Sequence, residues 1–78
     1  MPYIDQDRRE KVCLHGPIYS GELNYAITRL LRDYINVNPG YQGINDVLGA
    51  LEGAKMEFYR RVAVPYEEVA ITRNGDVY

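Results

Sequence analysis

Apolar residues recur with the spacing of amphipathic helices along two long segments of the chain. The first segment, about Gly21 to Asn36, carries apolar side chains at intervals of four, three and four residues: Leu23, Ile27, Leu30 and Tyr34. The second, about Ile44 to Val64, stops before Pro65 and carries the face Ile44, Val47, Leu48, Leu51, Ala54, Phe58 and Val62. Such spacing places each set on one side of a helix. The short connection Asn38-Pro39-Gly40 predicts that the two helices pack antiparallel.

The two ends of the chain carry different patterns. In Tyr3 to Val12, acidic residues precede basic ones, an order that suits the dipole of a short helix, and His15-Gly16-Pro17 ends that pattern. The segment Val69 to Arg73 is rich in β-branched residues, and Asn74-Gly75 is typical of a type I′ turn. The tail is therefore expected to form a short β-hairpin or an extended arm. The predicted fold is a mainly α single domain of residues 1–78, a two- or three-helix antiparallel bundle with this tail.

The size of the chain predicts that it associates with itself. A domain of 78 residues buries only about 60% of the surface that its unfolded chain exposes. A disulfide or a structural zinc site cannot supplement that core, since Cys13 is the one cysteine and His15 the one histidine. Gly49 and Gly53 lie four residues apart on the face opposite the apolar one, where close approach of a second protomer would explain them. A homo-oligomer, dimer or higher, is expected.

The charge of the chain limits its partners. The formal net charge is −2, whereas general binding to nucleic acid or to an anionic membrane needs a basic surface. No apolar run approaches the roughly 18 residues that span a bilayer. A small soluble protein of the cytoplasm is expected, with no membrane and no bulk nucleic acid among its partners.

Arginine and tyrosine are combined in two places that suggest a ligand. On the second predicted helix, Tyr25, Arg29 and Arg32 share the face opposite the apolar one. Further on, an arginine pair follows Phe58-Tyr59, and the sequence ends in a tyrosine. Guanidinium groups bind phosphate and tyrosine rings stack on bases, so these residues predict a site for an anionic, nucleotide-like molecule between protomers. The expected ligand-binding residues are Tyr25, Arg29, Arg32, Arg60, Arg61 and Tyr78, and the expected interface residues are Gly49, Gly53, Asn74 and Asp76. The alternative is a protein-interaction or regulatory module whose arginines meet carboxylates of a partner.

The sequence contains no recognisable catalytic motif, so a non-catalytic protein without a cofactor or metal is expected. A remote alternative is an enzyme like the tautomerases, which use an N-terminal proline as base, because the chain begins Met1-Pro2. That fold needs a strand at the proline. Lys55 lies within the apolar face of the third predicted helix, where its aliphatic stem is expected to cover apolar surface; the alternative is burial, which would lower its pKa. Cys13 and His15 lack an orienting third group.

Five blocks of sequence together resemble a family of short uncharacterised proteins of bacteria and phages: MPYIDQ, GELNYAITRL, KMEFYRR, PYEE and NGDVY. The resemblance extends over the whole chain, except that Lys11 to Ser20 departs from the longer first helix of related chains. It implies no established activity. A phage context would suit a protein that sequesters a signalling nucleotide. The positions that the resemblance places in the family's motifs are Gly21, Glu22, Asn24, Tyr25, Arg29, Lys55, Glu57, Tyr59, Arg60, Arg61, Pro65, Tyr66, Glu67, Asn74, Gly75, Asp76 and Tyr78.

Overall fold

A computed structural model describes all residues from Met1 to Tyr78, and 81% of them are helical. The chain forms four α-helices and a short π-helix, and it contains no strand. The elements are α1 (Gln6–His15), α2 (Ser20–Val37), α3 (Gly40–Phe58), the π-helix (Tyr59–Ala63) and α4 (Val64–Asn74). The last three follow one another without a break, so the prediction of a mainly α protein is confirmed.

The chain divides into two compact units, residues 1–47 and residues 48–78. The first unit holds α1, α2 and the beginning of α3, whereas the second holds the rest of α3, the π-helix and α4.

In the first unit, α1 is defined by caps at both ends. The Oδ1 atom of Asp5 accepts a hydrogen bond from the backbone N–H of Arg8 at 2.9 Å, which satisfies one of the free N–H groups of the first turn. Gly16 ends the helix with a positive φ of 84° and donates its N–H to the carbonyl oxygen of Val12 at 2.8 Å. Ile4 and Val12 are the buried apolar residues of the unit. The core therefore lies beside α1 and is very small.

The connection between α2 and α3 depends on two glycines. Gly40, with φ of 85°, adopts a conformation that L residues rarely adopt. Gly43 is buried, and a Cβ atom there would collide with the carbonyl oxygen of Asn38 and lie 3.0 Å from Cδ1 of Ile35. The backbone of the turn can therefore approach α3 only because residue 43 has no side chain.

The sequence predicted that the helix stops before Pro65, but in the second unit the helix continues through this residue. Proline has no N–H for the usual bond to the carbonyl four residues earlier, and its ring clashes with that carbonyl. The turn before it widens into the π-helix, in which the N–H of Val64 donates to the carbonyl oxygen of Tyr59. Thus the helix accommodates the proline by a local change of hydrogen-bond pattern.

The predicted C-terminal hairpin is wrong, because Val69 to Asn74 belong to α4. The segment carries helix signals that outweigh its β-branched residues: acidic residues near its start and Arg73 in the last turn. Gly75, with φ of 90°, then acts as the C-terminal cap and donates its N–H to the carbonyl oxygen of Ile71. Asn-Gly here ends a helix. The alternative of an extended arm from Val69 is wrong for the same reason, and only residues 75–78 follow the helix.

The predicted apolar faces exist on the helices, but they are not the buried core of an antiparallel bundle. In the first unit the α2 stripe, which we define as Leu23, Ile27, Leu30 and Tyr34, is exposed along its whole length. In the second unit no residue is buried, and the apolar face is exposed at Leu48, Leu51, Phe58 and Val62. Burial of an apolar face is the main source of helix stability in proteins, so these helices still lack part of their stabilising contacts.

Candidate functional site

The polar face of α2 combines with α1 to form a cationic surface in the first unit. Tyr25, Arg29 and Arg32 lie at positions i, i+4 and i+7 of α2 and therefore share one face, as the sequence predicted. Across from them, the guanidinium carbon of Arg9 in α1 lies 5.5 Å from the centre of the Tyr25 ring, which is cation–π distance. We call this surface the arginine patch and define it as Arg9, Tyr25, Arg29 and Arg32.

The three guanidinium groups of the patch differ in their partners. Nε of Arg29 lies 3.5 Å from Oδ1 of Asp33, and both side chains are exposed. Arg9 donates from Nε to the carbonyl oxygen of Ile4 at 2.8 Å and makes no ion pair, and Arg32 has no salt-bridge partner either. The Tyr25 side chain, followed by Asp33, raises the pKa of Arg29 above its ordinary value. Three permanent positive charges are thus opposed by one adjacent carboxylate.

Arg9 was missed by the sequence analysis, although it supplies the only contribution to the patch from outside α2. The charged residues around Arg9 in the sequence indicated only an ordinary charged helix surface. Periodicity cannot reveal that residues on different helices lie side by side. The packing of α1 against α2, where Ile4 lies close to Gly21, sets the position of the Arg9 guanidinium. A signal existed only in the paired arginines at 8 and 9.

A buried carboxylate fixes α1 against the start of α2. Glu22 is 4% exposed, and its Oε1 atom accepts hydrogen bonds from the backbone N–H groups of Ile18 at 2.9 Å and Tyr19 at 3.4 Å. Its Oε2 atom accepts from Nε of Arg8 at 3.0 Å, and the Arg8 guanidinium lies over the Tyr19 ring. The bond from Ile18 and then the bond from Arg8 lower the pKa of Glu22 below its ordinary value. Glu22 therefore positions the arginine patch without belonging to it.

The other predicted ligand residues lie in the second unit, where the arginines already have a partner. Arg60 and Arg61 both bind the carboxylate of Glu57, at 2.7 Å and 2.6 Å. These two bonds, with Arg61 contributing more, lower the pKa of Glu57. Tyr78 is fully exposed, and its backbone N–H donates to Asp76 at 2.9 Å. The structure thus joins Arg60 to Arg61 through a carboxylate, and the arginine patch of the first unit is formed without them.

The predicted interface residues are all accessible. Added Cβ atoms at Gly49 and Gly53 would meet no atom within 4 Å, so nothing in the chain itself accounts for these glycines. Asn74 is the last residue of α4 and Asp76 forms a local turn after it, which replaces their predicted role in a hairpin. Whether a second protomer contacts these four residues stays a prediction.

The remaining candidates for chemistry are exposed side chains. Lys55, Cys13 and His15 are all exposed, so Lys55 is not buried within the apolar face. Residues 1–5 precede α1 without forming a strand, so Pro2 lacks the strand that the tautomerase alternative requires. No group of three His, Cys, Asp or Glu side chains is arranged to hold a metal ion. None of the helices combines the length and the apolar composition needed to cross a membrane.

Similarity to a known protein family covers almost the whole chain. The family model described as a domain of unknown function (DUF6899) matches residues 1–77. Neither the curated proteins nor the solved structures include a protein that matches this chain.

Proposed function

Because the chain belongs to the DUF6899 family, whose function is unknown, we propose a function from its own residues: it is a non-catalytic protein that binds an anionic small molecule at the arginine patch. The observation that carries the proposal is the position of Arg9 over Tyr25, on the same surface as Arg29 and Arg32. Cationic groups from two helices meet there in a chain whose net charge is −2. A local site for an anion is therefore compatible with an acidic protein.

The chemistry of the patch favours phosphate as the anionic group. A guanidinium group presents a planar set of donors that matches two oxygens of a phosphate or a carboxylate. Arg32 has all its donors available, and Arg9 uses Nε for Ile4 and keeps its terminal nitrogens. Arg9 covers one face of the Tyr25 ring, so a base could stack only on the opposite face. The nucleotide-like ligand predicted from the sequence would fit with its phosphates on the arginines.

The groups of the patch suit binding rather than proton transfer. A general acid or base works best when its pKa is near the working pH. Guanidinium groups are far above that range, and Tyr25 with Asp33 raises the pKa of Arg29 further. The patch would hold an anion by charge and hydrogen bonds and release it unchanged.

A biological setting follows from the resemblance of the sequence blocks to bacterial and phage proteins. In a bacterial cell, a small protein that binds a phosphate-bearing signal molecule without converting it would lower the free concentration of that molecule. We propose sequestration as the role of the arginine patch.

Titration calorimetry of the full chain with pyrophosphate and with ATP tests the proposal. We expect binding that weakens as salt increases, because the contacts are ionic. The double variant Arg29→Gln/Arg32→Gln should weaken binding at least about tenfold, the effect of about 1.4 kcal/mol. The matched control Arg60→Gln/Arg61→Gln removes the same charge from the second unit and should leave binding unchanged.

Three results would contradict the proposal. One is the absence of binding by the wild-type protein, and another is equal weakening by the two double variants, since that would indicate a nonspecific charge effect. The third is conversion of ATP by the wild-type protein, which would show catalysis. If the wild-type protein binds no anion but Arg29→Gln/Arg32→Gln prevents its association with another protein, the alternative of an interaction module is favoured.

A further inference from the structure

We propose that a second copy of this chain binds along the α2 stripe, so that two α2 helices pair as a short two-stranded coiled coil. This inference goes beyond the anion-binding function, because the α2 stripe and the arginine patch lie on opposite faces of the helix. Each can therefore fail experimentally without the other.

The α2 stripe is an apolar surface that its own unit leaves largely exposed, although the Tyr34 hydroxyl donates to Oδ2 of Asp46 at 2.8 Å and Arg8 lies over the Tyr19 ring at the N-terminal end of α2. Its four side chains are between 40 and 69% exposed. Val37 extends the stripe at one end and is 79% exposed, and Tyr19 extends it at the other and is 64% exposed. These residues span the whole length of α2, from its N-terminal cap to its last residue. A partner that covers them must therefore be elongated, as a helix is.

The spacing of the stripe is that of a two-stranded coiled coil. From Leu23 to Val37 the intervals are four, three, four and three residues, which is the alternation of a and d positions in a heptad repeat. In this register Leu23, Leu30 and Val37 occupy d positions, and Ile27 and Tyr34 occupy a positions. A β-branched residue at a with leucine at d favours two strands over three or four.

The residues that flank the a and d positions favour a copy of the same chain as the partner. In coiled coils, charges at e and g select the partner. Here the e and g positions between Leu23 and Val37 are Asn24, Ala26, Leu31 and Asp33, and from 24 to 31 they hold only uncharged residues. Pairing of two identical helices therefore brings no like charges together along this stretch. A membrane is less suitable, since the charges of α2 cancel, with Glu22 and Asp33 against its two arginines.

The accessible area of the stripe sets the strength of the expected contact. A fully buried aliphatic side chain removes roughly 60–120 Å² from water, and an aromatic one about 150–250 Å². With the exposed fractions of the extended stripe, one chain offers roughly 300–550 Å² and two chains roughly 600–1,100 Å². Stable complexes bury about 1,200–2,000 Å². The α2 contact is thus expected to give a reversible dimer whose population depends on concentration.

Sedimentation equilibrium of the full chain from about 1 μM to about 1 mM tests the proposal. The wild-type protein should shift towards dimer as concentration rises, and its Tm should rise with it, because the dimer forms only from folded chains. Leu30→Asp should raise the dissociation constant at least about tenfold. The matched control is Leu14→Asp, which makes the same charge change at an exposed position of α1, 85% exposed, and should leave association unchanged.

Leu30→Ala provides a second variant that keeps high helix propensity, in case the aspartate variant loses its helical structure. It should also weaken the dimer while Leu14→Ala does not. A wild-type protein that stays monomeric throughout the range overturns the proposal, and so does an equal effect of the Leu14 and Leu30 variants. Monomeric wild-type protein that binds vesicles of phosphatidylcholine and phosphatidylserine through Leu30 would assign the stripe to a membrane and would likewise overturn it.

Discussion

Gly43→Ala is expected to destabilise the first unit, although alanine is a better helix former than glycine. In an exposed helix interior the exchange of glycine for alanine stabilises by about 1 kcal/mol. At Gly43 the new Cβ atom meets the carbonyl oxygen of Asn38 at less than contact distance. Because this obstacle is backbone, the turn between α2 and α3 must move, and overpacking of this kind costs about 1–3 kcal/mol. The cost should equal or exceed the gain.

Gly49→Ala is the matched control in the same helix. The space around its Cβ position is open, so only the gain of about 1 kcal/mol applies. The free energy of unfolding should therefore be about 1–3 kcal/mol higher for Gly49→Ala than for Gly43→Ala. For a domain of this size each kcal/mol corresponds to a Tm difference of about 4–8 °C.

Urea denaturation followed by circular dichroism at 222 nm measures both variants against the wild-type protein. Low protein concentration keeps any dimer from contributing to the comparison. A Gly43→Ala variant as stable as Gly49→Ala would refute the reasoning, because it would mean that the Asn38 carbonyl does not approach α3 closely.

Three further predictions concern the capping and burial of particular groups. The contribution of Glu22 to stability should be complete above the ordinary pKa of glutamate, about 4.3, and should be lost as the pH falls through the lowered pKa of Glu22. Glu22→Gln should therefore be less stable than the wild-type protein at pH 7 and lose part of this pH dependence. An unchanged urea midpoint would contradict the role of the three hydrogen bonds that Glu22 accepts. Pro65→Ala restores an N–H and should stabilise the second unit by up to about 3 kcal/mol, with no change in the urea midpoint as the opposing result. Gly75→Ala forces a side chain into φ of 90° and should cost about 1–2 kcal/mol, measured in the same way; equal stability would mean that the cap relaxes.

The candidate site was partly predictable because a helix converts spacing into direction. Tyr25, Arg29 and Arg32 share a face through the period of 3.6 residues alone, and the structure agrees. Arg9 joins them only because α1 packs against α2. The occupation of Arg60 and Arg61 by Glu57 was visible as an i,i+3 and i,i+4 pattern, although the sequence alone could not exclude a ligand there.

The C-terminal segment illustrates competition between local signals. Asn74-Gly75 fits both a hairpin turn and the end of a helix, and β-branched residues before it favour a strand. Strand propensity is realised only where a partner strand exists, whereas a helix satisfies its backbone hydrogen bonds within the segment. With helix α4 already continuous from α3, the glycine became a cap.

The amino-acid pattern was sufficient to predict the helical character of most of the chain, the breaks at Gly16 and at Pro39-Gly40, and the two opposite faces of α2. All of these follow from interactions within a few residues: caps, proline geometry and periodicity. Packing between segments places Arg9 over Tyr25, brings the Asn38 carbonyl against Gly43 and leaves the α2 stripe largely exposed within its unit. Arg9 and Tyr25 are distant along the chain, and the approach of Asn38 to Gly43, although these residues are near in sequence, depends on how the turn closes on α3. Packing, rather than pattern, selects which apolar face is buried.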